Sequence, residues 1–101
     1  MDSVIDAIPN ISVITQIELL CWKTDAGKEQ MVKDFITDSN IHYIISEITA
    51  HTVDIRRNKK IKTPDAIIAA TALAHGFTLL SNNDKDFIGI KGLKYINPYQ
   101  L

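Results

Sequence analysis

"IKTPDAIIAATALAHG", residues 61–76, decides the fold, because it carries the signals of one complete and almost entirely apolar helix. Thr63 can cap its start, Pro64 suits the first helical position, and Gly76 suits a left-handed exit. An apolar helix body of this kind is typical of an element that is buried against a sheet. The one acidic side chain of the stretch, Asp65, falls at the second helical position, at the edge of the predicted core.

Asp65 has two explanations, and this stretch alone does not choose between them. A carboxylate in the first turn faces the positive end of the helix dipole, an interaction of roughly 0.3–1 kcal/mol. The same carboxylate is also well placed for a chemical role, since it stands where the buried helix meets the surface. The other acidic residues of the chain bear on this choice.

The composition is that of one ordinary globular domain, spanning residues 1–101. Hydrophobic residues make up 46% of the chain and charged residues 23%, and the net charge is −1, so the chain is neither disordered nor globally basic. Cys21 is the only cysteine, so no internal disulfide can form and a cytoplasmic location is expected. No apolar stretch approaches the ~18 residues of a membrane span, so no membrane partner is expected.

Alternating strand-like and helical patterns predict the architecture. Strand-like runs lie at 11–14, 41–46, 77–81 and 93–96, and helical patterns at 16–23, 26–37, 47–58 and 64–75. Apolar strands that alternate with helices favour a parallel sheet covered by helices on both faces. In such sheets ligands gather at the carboxyl ends of strands, and the third run leads directly into a polar loop.

Acidic side chains lie at three element boundaries: Glu18 beside the first strand, Asp65 at a helix start, and Asp84 with Asp86 after a strand. Mg²⁺ and Mn²⁺ prefer oxygen ligands, and a bound cation can activate water and offset phosphodiester charge. Each acid also has a simpler explanation. Thr15 and Glu18 have the T-x-x-E spacing of a capping box, and the loop acids can be merely solvated. No spacing rule joins the acids.

The other polar groups are less informative. The histidines, at 42, 51 and 75, have no metal-ligand spacing, so none is expected to be catalytic. A run of cations before the apolar helix is either a solvated helix end or a contact for nucleic-acid phosphates. Its members are Arg56, Arg57, Lys59, Lys60 and Lys62.

Three stretches, "ISVITQIELL", "KTPDAIIAATALAHGFTLLSNNDKDF" and "GIKGLKYINP", are together similar to the PIN domain of VapC-type toxin ribonucleases. The most specific part is D-x-x-I-A-A-x-A followed by a strand and an N-x-x-D-F loop. The resemblance implies a three-layer α/β/α sandwich around a central parallel sheet. It also implies RNA cleavage with Mg²⁺ or Mn²⁺ and a small antitoxin as partner.

The resemblance also assigns roles to individual residues. Glu18, Asp65 and Asp86 match the catalytic, metal-binding acids, and Asn83 matches a position where members place Asn or the last acid. Whether Asn83, Asp84 or Asp86 is the last metal ligand is left open. Thr15 and Ser81 match hydroxyl positions that orient neighbouring acids, and the cations between 56 and 62 are expected to hold the RNA strand.

The beginning of the chain departs from the family. PIN domains of this type begin with an apolar strand that ends in an Asp-Thr-Asn-type motif, whereas "MDSVIDAIP", residues 1–9, matches the segment before the second motif. We therefore expect an N-terminally truncated domain that lacks the central strand and the first acid. Such a domain would bind a cation more weakly and would form a homodimer or a strand-exchanged oligomer.

Two hypotheses about function follow from these features. The first is a metal-dependent endoribonuclease of a toxin–antitoxin system. The alternative is a catalytically impaired PIN remnant that acts as a dimerisation or antitoxin-binding module, which the missing first acid favours. A third interpretation, a phosphate-binding or signalling domain, is disfavoured because the chain has no glycine-rich phosphate loop.

Overall fold

The structure is a computed structural model that describes residues 8–100. The chain divides into two compact units, Met1–Tyr43 and Ile44–Leu101, and each contains its own pair of parallel strands. The prediction of one domain over 1–101 that lacks an N-terminal strand stays a prediction. Most of the segment on which it depends, residues 1–7, lies outside the described residues.

The first unit is a strand–helix–helix–strand arrangement. Strands β1 (Asn10–Ser12) and β2 (Asn40–His42) pair in parallel, and helices α1 (Val13–Cys21) and α2 (Ala26–Thr37) connect them. Parallel strands require a crossover of this kind, because a tight turn reverses the chain direction. The strand predicted at 41–46 is shorter than expected, since it ends at His42 and the next residues are exposed.

The start of α1 differs from the prediction. Ser12, not Thr15, is the N-cap: its Oγ accepts a hydrogen bond from the Thr15 backbone N–H at 3.2 Å. Thr15 and Glu18 therefore both lie inside the helix, and the capping box predicted for them is wrong. The physical reason is that Ser12 has the extended backbone that a cap needs, and it supplies the side-chain acceptor three residues before Thr15.

The second unit holds two long helices and a second strand pair. In chain order its elements are α3 (Ser46–Asn58), α4 (Thr63–His75), β3 (Thr78–Leu80), α5 (Asp84–Phe87), β4 (Lys94–Ile96) and a 3-10 helix (Pro98–Gln100). Strands β3 and β4 are parallel. Parallel strands that alternate with helices confirm the predicted α/β class, and none of the helices within residues 8–100 is long and apolar enough to cross a membrane.

The ends of α4 agree with the sequence signals at Gly76 but not at Thr63. Gly76 ends the helix with a left-handed φ of 70°, as predicted. Helix α4 begins at Thr63 itself, with Lys62 as its N-cap, because the Thr63 hydroxyl accepts a hydrogen bond from Arg56 instead of capping the helix. Asp65 is therefore the third helical residue and not the second. Helix α3 likewise begins one residue before the helical pattern predicted at 47–58, since Ser46 is its first residue.

The core of the second unit lies where α3 packs against α4. Ile48 and Ile55 of α3 meet a row of alanines on α4, Ala66, Ala69 and Ala70, all of them buried. Alanine allows the two helices to approach closely, so the isoleucine side chains fill the space between them. This core places the start of α4, and with it Asp65, at the edge of a rigid apolar cluster.

Candidate functional site

A hydrogen-bonded pair fixes the loop after β3. The Asn83 side chain caps α5 by accepting from the Asp86 backbone N–H at 3.3 Å, and it donates to Asp86 Oδ2 at 2.8 Å. No described residue donates to the other oxygen, Asp86 Oδ1. The pair therefore holds the carboxylate in one orientation and leaves one of its oxygens available.

Ser81 supports this pair from the strand side. Its Oγ accepts a hydrogen bond from the Asn83 backbone N–H at 3.1 Å. Ser81 therefore contacts Asn83, the residue that holds Asp86, rather than an acid directly. The orienting role predicted for Ser81 stays a prediction, and any effect on Asp86 passes through Asn83.

Asp84 is not a freely solvated loop acid, as its simpler explanation required. Its Oδ1 accepts from the Tyr95 hydroxyl at 2.7 Å and from Asn97 Nδ2 at 3.2 Å, and its Oδ2 accepts from Gln100 Nε2 at 3.0 Å. Sequence reasoning missed all three donors. Nothing in the stretch that contains them marks these residues as partners of an acid, since they are common polar residues around a strand end.

The contacts of Asp84 and Tyr95 shift both pKa values in opposite directions. The hydrogen bond from Tyr95, followed by that from Asn97, lowers the pKa of the Asp84 carboxyl; partial burial opposes this and Gln100 adds to it. Burial, followed by the interaction with Asp84, raises the pKa of the Tyr95 hydroxyl to about 12. The pair is therefore stable as carboxylate and neutral phenol.

We predict that Tyr95→Phe weakens the pH dependence of folding stability, at low pH through Asp84 and at high pH through Tyr95 itself. Because the folded state lowers the Asp84 pKa, its contribution is complete above the ordinary value of 3.8 and is lost as the pH falls through the folded value. Because the folded state raises the Tyr95 pKa, that contribution is complete below pH 10.0 and is lost as the pH rises towards about 12. Denaturant unfolding at several pH values measures the difference in the free energy of unfolding between the wild type and Tyr95→Phe. This difference should become smaller at both low and high pH.

A tyrosinate absorbance titration checks the same assignment directly. The ionisation step near pH 12 should be present in the wild type and absent from Tyr95→Phe. A stability difference that does not change across the pH range, or a high step that survives the substitution, would contradict the pairing.

The other two predicted acids lie in different settings. Asp65 is half-buried in the first turn of α4, next to the fully buried Ala66. Glu18 is exposed on α1 of the first unit and makes no hydrogen bond or ion pair with another described residue. The Thr15 hydroxyl lies 3.5 Å from Ser12 Oγ, so it contacts the helix cap, and the orienting role predicted for Thr15 stays a prediction.

The donor chemistry suits a hard cation, although no complete ligand set is assembled. Glu18, Asp65 and Asp86 all offer carboxylate oxygens, the ligand type of Mg²⁺ and Mn²⁺. Within residues 8–100, however, no group of three or more His, Cys, Asp or Glu side chains is arranged to hold a metal ion. Because Mg²⁺ commonly takes one or two carboxylates and completes its shell with waters and phosphates, the available oxygens still fit such an ion.

The basic run divides into cations that stabilise the fold and cations that face solvent. Arg56 donates to the Ile61 carbonyl at 3.0 Å and to the Thr63 hydroxyl at 2.9 Å, and Lys59 donates to the Ile88 carbonyl at 3.1 Å. These bonds tie the turn between α3 and α4 and the end of α5. Three exposed cations, at 57, 60 and 62, donate to no other residue of the described chain.

An apolar groove of ≈ 490 Å³ lies between α1 and α2 of the first unit. Its lining is almost entirely hydrophobic, and several of these side chains are unusually exposed: Met31 by 70%, Trp22 by 51% and Phe35 by 44%. The remaining lining residues are Leu19, Lys28 and Val32. An exposed apolar surface of this kind is typical of a binding site for another protein.

Proteins with parallel α/β sheets commonly bind ligands beyond the carboxyl ends of their strands, and here Asp84 and Asp86 follow β3. The sequence pattern of the PIN domain family matches residues 7–93. The chain therefore belongs to the PIN domain family, and the family predicted from its motifs is confirmed.

One curated relative is similar over part of the chain. Ribonuclease VapC1 of Rickettsia felis is 53% identical over 36 residues, which are 36% of this chain. The chain matches only 27% of the length of that relative.

Solved structures are similar over nearly all of the chain. The toxin–antitoxin complex from Klebsiella pneumoniae contains a chain that is 34% identical with a TM-score of 0.79, and the match covers 99% of this chain and 83% of that one. VapBC2 from Rickettsia felis, bound to a DNA fragment from its promoter, gives 25% identity and a TM-score of 0.72, over 94% and 78% of the two chains. These matches confirm a PIN-like fold.

Proposed function

We propose that this chain is a VapC-like endoribonuclease of a toxin–antitoxin system, which hydrolyses RNA phosphodiesters with Mg²⁺ or Mn²⁺. Membership of the PIN domain family and the likeness to Ribonuclease VapC1 support the proposal. The structural observation that carries it is the Asn83–Asp86 pair, which presents one carboxylate oxygen at the carboxyl end of β3.

The proposed roles follow the family motifs. Glu18, Asp65 and Asp86 would hold a divalent cation, and Asn83 keeps the Asp86 carboxylate in its orientation. A divalent cation, when bound, lowers the pKa of a water and offsets the charge of the phosphodiester. Asp65 is suited to its part because the rigid α3–α4 core fixes the helix turn on which it lies.

Metal removal tests the proposal. Labelled single-stranded and hairpin RNAs should be cut in the presence of Mg²⁺ or Mn²⁺, and single-stranded DNA of the same sequence serves as the parallel substrate. A chelator should stop the cleavage, and an excess of Mn²⁺ should restore it. Cleavage that survives the chelator, or a complete lack of cleavage with both cations, would reject the assignment.

We further propose that RNA is held by the three cations of the basic run that donate to no other described residue, Arg57, Lys60 and Lys62. Each contact with a phosphate releases counterions, so the binding constant for single-stranded RNA falls as the salt concentration rises. In a plot of log K against log[salt], each contact contributes about 0.7 to the magnitude of the slope. Changing all three residues to Ala should reduce that slope by about two. Fluorescence anisotropy with labelled RNA, with a chelator present to prevent cleavage, measures the slope.

The matched control removes the same number of charges elsewhere. Lys23, Lys33 and Lys91 are also exposed, and their replacement by Ala should leave the salt slope within experimental error of the wild type. Equal losses in the two triple variants would mean that RNA binding depends on net charge and not on this surface.

The α1–α2 groove favours a second function, the binding of a small antitoxin. The solved relatives include toxin–antitoxin complexes. The groove offers an exposed apolar surface of the kind that a partner helix or segment covers. This function is compatible with the ribonuclease, and it is also what a catalytically impaired chain would retain. The predicted homodimer or strand-exchanged oligomer would be an alternative use of exposed apolar surface.

Trp22 makes this prediction measurable, because it is the single tryptophan of the chain and lines the groove. Adding the antitoxin of the Klebsiella pneumoniae complex should shift Trp22 emission to shorter wavelength, since the half-exposed ring becomes covered. Met31→Asp should weaken this binding by about tenfold or more, because it places a charge in an apolar interface. Val53→Asp, at an equally apolar but separate exposed position on α3, is the control.

Sedimentation of the protein alone distinguishes self-association from antitoxin binding. A concentration-dependent dimer that Met31→Asp abolishes would assign the groove to a second copy. A monomer whose Trp22 emission does not respond would exclude both a second copy of the chain and this antitoxin as occupants of the groove.

A further inference from the structure

Residues near the C-terminal end of the chain form hydrogen bonds to the loop that carries the Asn83–Asp86 pair. Asp84 lies between these two residues, and both its carboxylate oxygens accept hydrogen bonds from residues well beyond the loop. The donors are the Tyr95 hydroxyl on β4 at 2.7 Å, Asn97 Nδ2 at 3.2 Å and Gln100 Nε2 at 3.0 Å. Three of the roughly four acceptor positions of this carboxylate are therefore occupied from within the described chain.

The same segment also holds the two ends of the loop. The Tyr95 hydroxyl lies 2.8 Å from the Ser81 carbonyl oxygen, at the end of β3. The Tyr95 ring packs against the buried Phe87 ring at the end of α5, with centroids 5.9 Å apart. One side chain therefore contacts the beginning, the middle and the end of the loop.

We propose that Asp84, Tyr95, Asn97 and Gln100 form a latch that positions Asp86 for catalysis, and that Asp84 is a positioning residue rather than a metal ligand. The proposal rests on the ribonuclease function proposed above. This proposal favours Asp86 over Asp84 as the metal ligand of the loop. One carboxylate oxygen of Asp86 accepts no hydrogen bond from a described residue, whereas both oxygens of Asp84 accept hydrogen bonds.

The latch is needed because α5 cannot hold the loop by itself. A helix of four residues, Asp84–Phe87, is too short to be stable without tertiary contacts. The Asn83 cap and the bond of Asn83 with Ser81 fix Asp86 relative to the end of β3 but not relative to β4. Hydrogen bonds to an ionised carboxylate are among the strong ones, and those of Asp84 connect the loop to β4 and the residues after it.

Amide hydrogen exchange and RNA cleavage by the full chain together test the latch. In Tyr95→Phe the ring packing on Phe87 remains and only the hydroxyl is lost. The backbone amides of Phe87 and Ile88, which donate to the Asn83 and Asp84 carbonyls, should exchange about tenfold faster. The kcat for RNA should fall by about tenfold while KM stays unchanged, because the contacts of the RNA with the basic run are not altered.

A pair of substitutions at one position separates positioning from metal binding. Asp84→Asn keeps an oxygen that can accept from Tyr95 and Asn97, whereas Asp84→Ala removes the acceptor completely. The latch therefore predicts a smaller loss of kcat in Asp84→Asn than in Asp84→Ala, and a Tyr95→Phe loss comparable to that of Asp84→Ala. A metal ligand at position 84 predicts the opposite pattern: a similar large loss in both Asp84 variants and near wild-type activity in Tyr95→Phe.

Tyr99→Phe and Asp38→Asn are the matched controls, since neither side chain makes a hydrogen bond with another described residue and both residues are exposed. Unchanged exchange in both Tyr95→Phe and Asp84→Ala overturns the latch. Faster exchange with unchanged kcat overturns its positioning role. A wild-type chain without metal-dependent cleavage rejects the ribonuclease function, and the positioning role with it, whereas the exchange data still decide whether the latch exists.

Discussion

Replacing Asp65 with Asn is expected to lower the rate of metal-dependent RNA cleavage by about a hundredfold, which is about 2.7 kcal/mol of activation free energy. The substitution keeps the size and shape of the side chain and removes its charge, so the cation loses one of its few anionic ligands. The fold should survive, because Asn keeps the shape of the side chain and its ability to form hydrogen bonds, and the loss of the helix-dipole contribution costs about 1 kcal/mol or less. Single-turnover cleavage of labelled RNA measures the rate, and denaturant unfolding measures the stability.

A control at Glu47 distinguishes the two explanations of Asp65, which are stabilisation of the helix dipole and binding of the cation. Glu47 occupies the first turn of α3, as Asp65 occupies that of α4, and it is exposed. Glu47→Gln should therefore lose a similar dipole contribution while cleaving RNA like the wild type. If Asp65→Asn and Glu47→Gln behave alike in both measurements, Asp65 serves only the helix.

Glu18→Gln extends the test to the first unit. If Glu18 joins the same cation, this substitution should also reduce cleavage, and the double variant with Asp65→Asn should lose little more than either single variant. Non-additivity of this kind is expected for groups that act as one unit. Full cleavage by Glu18→Gln would remove Glu18 from the site without affecting the case for Asp65.

The largest expected effect on stability comes from Ile48→Ala. Ile48 is 0% exposed and lies in the α3–α4 core against the alanine row of α4. Removing three carbon atoms there leaves a cavity, because close-packed neighbours relax only partly to fill it. The free energy of unfolding should fall by about 2–5 kcal/mol, a large part of the ~5–15 kcal/mol typical of a domain.

Urea unfolding followed by circular dichroism measures this loss. Ile44→Ala is the control, because Ile44 lies outside both long helices and is 46% exposed. It should change the unfolding free energy by less than about 1 kcal/mol. A loss of similar size at both positions would mean that the core does not depend on the α3–α4 contact.

Local sequence signals predicted where the helices lie, but they did not predict correctly which residues begin α1 and α4. Gly76 ends α4 as expected because a left-handed residue without a Cβ is a local requirement that the sequence states directly. The helix starts are harder to predict, because each of them offers more than one polar residue that could act as the cap. Ser12, and not Thr15, is the N-cap of α1. The Thr63 hydroxyl accepts a hydrogen bond from Arg56, a residue of the preceding helix.

The site residues divide in the same way. Asn83, Asp86 and Ser81 form a network within the loop, so a short motif could identify them. The partners of Asp84 lie 11, 13 and 16 residues later in the chain, and no motif connects them. The sequence also does not show which cations of the basic run stabilise the fold. Lys59, for example, donates to the carbonyl of Ile88, which lies 29 residues later in the chain.

The sequence by itself determined that this is an α/β chain of the PIN family and which side chains carry negative charge at its strand and helix ends. Those properties follow from hydrophobic periodicity and from motifs whose members are close in the chain. Only the tertiary structure decided that Asp84 is engaged and that Asp86 keeps an available oxygen. The reason is that hydrogen-bond partners are chosen by distance in space, and the packing of β4 against the loop brings together residues that are remote in sequence.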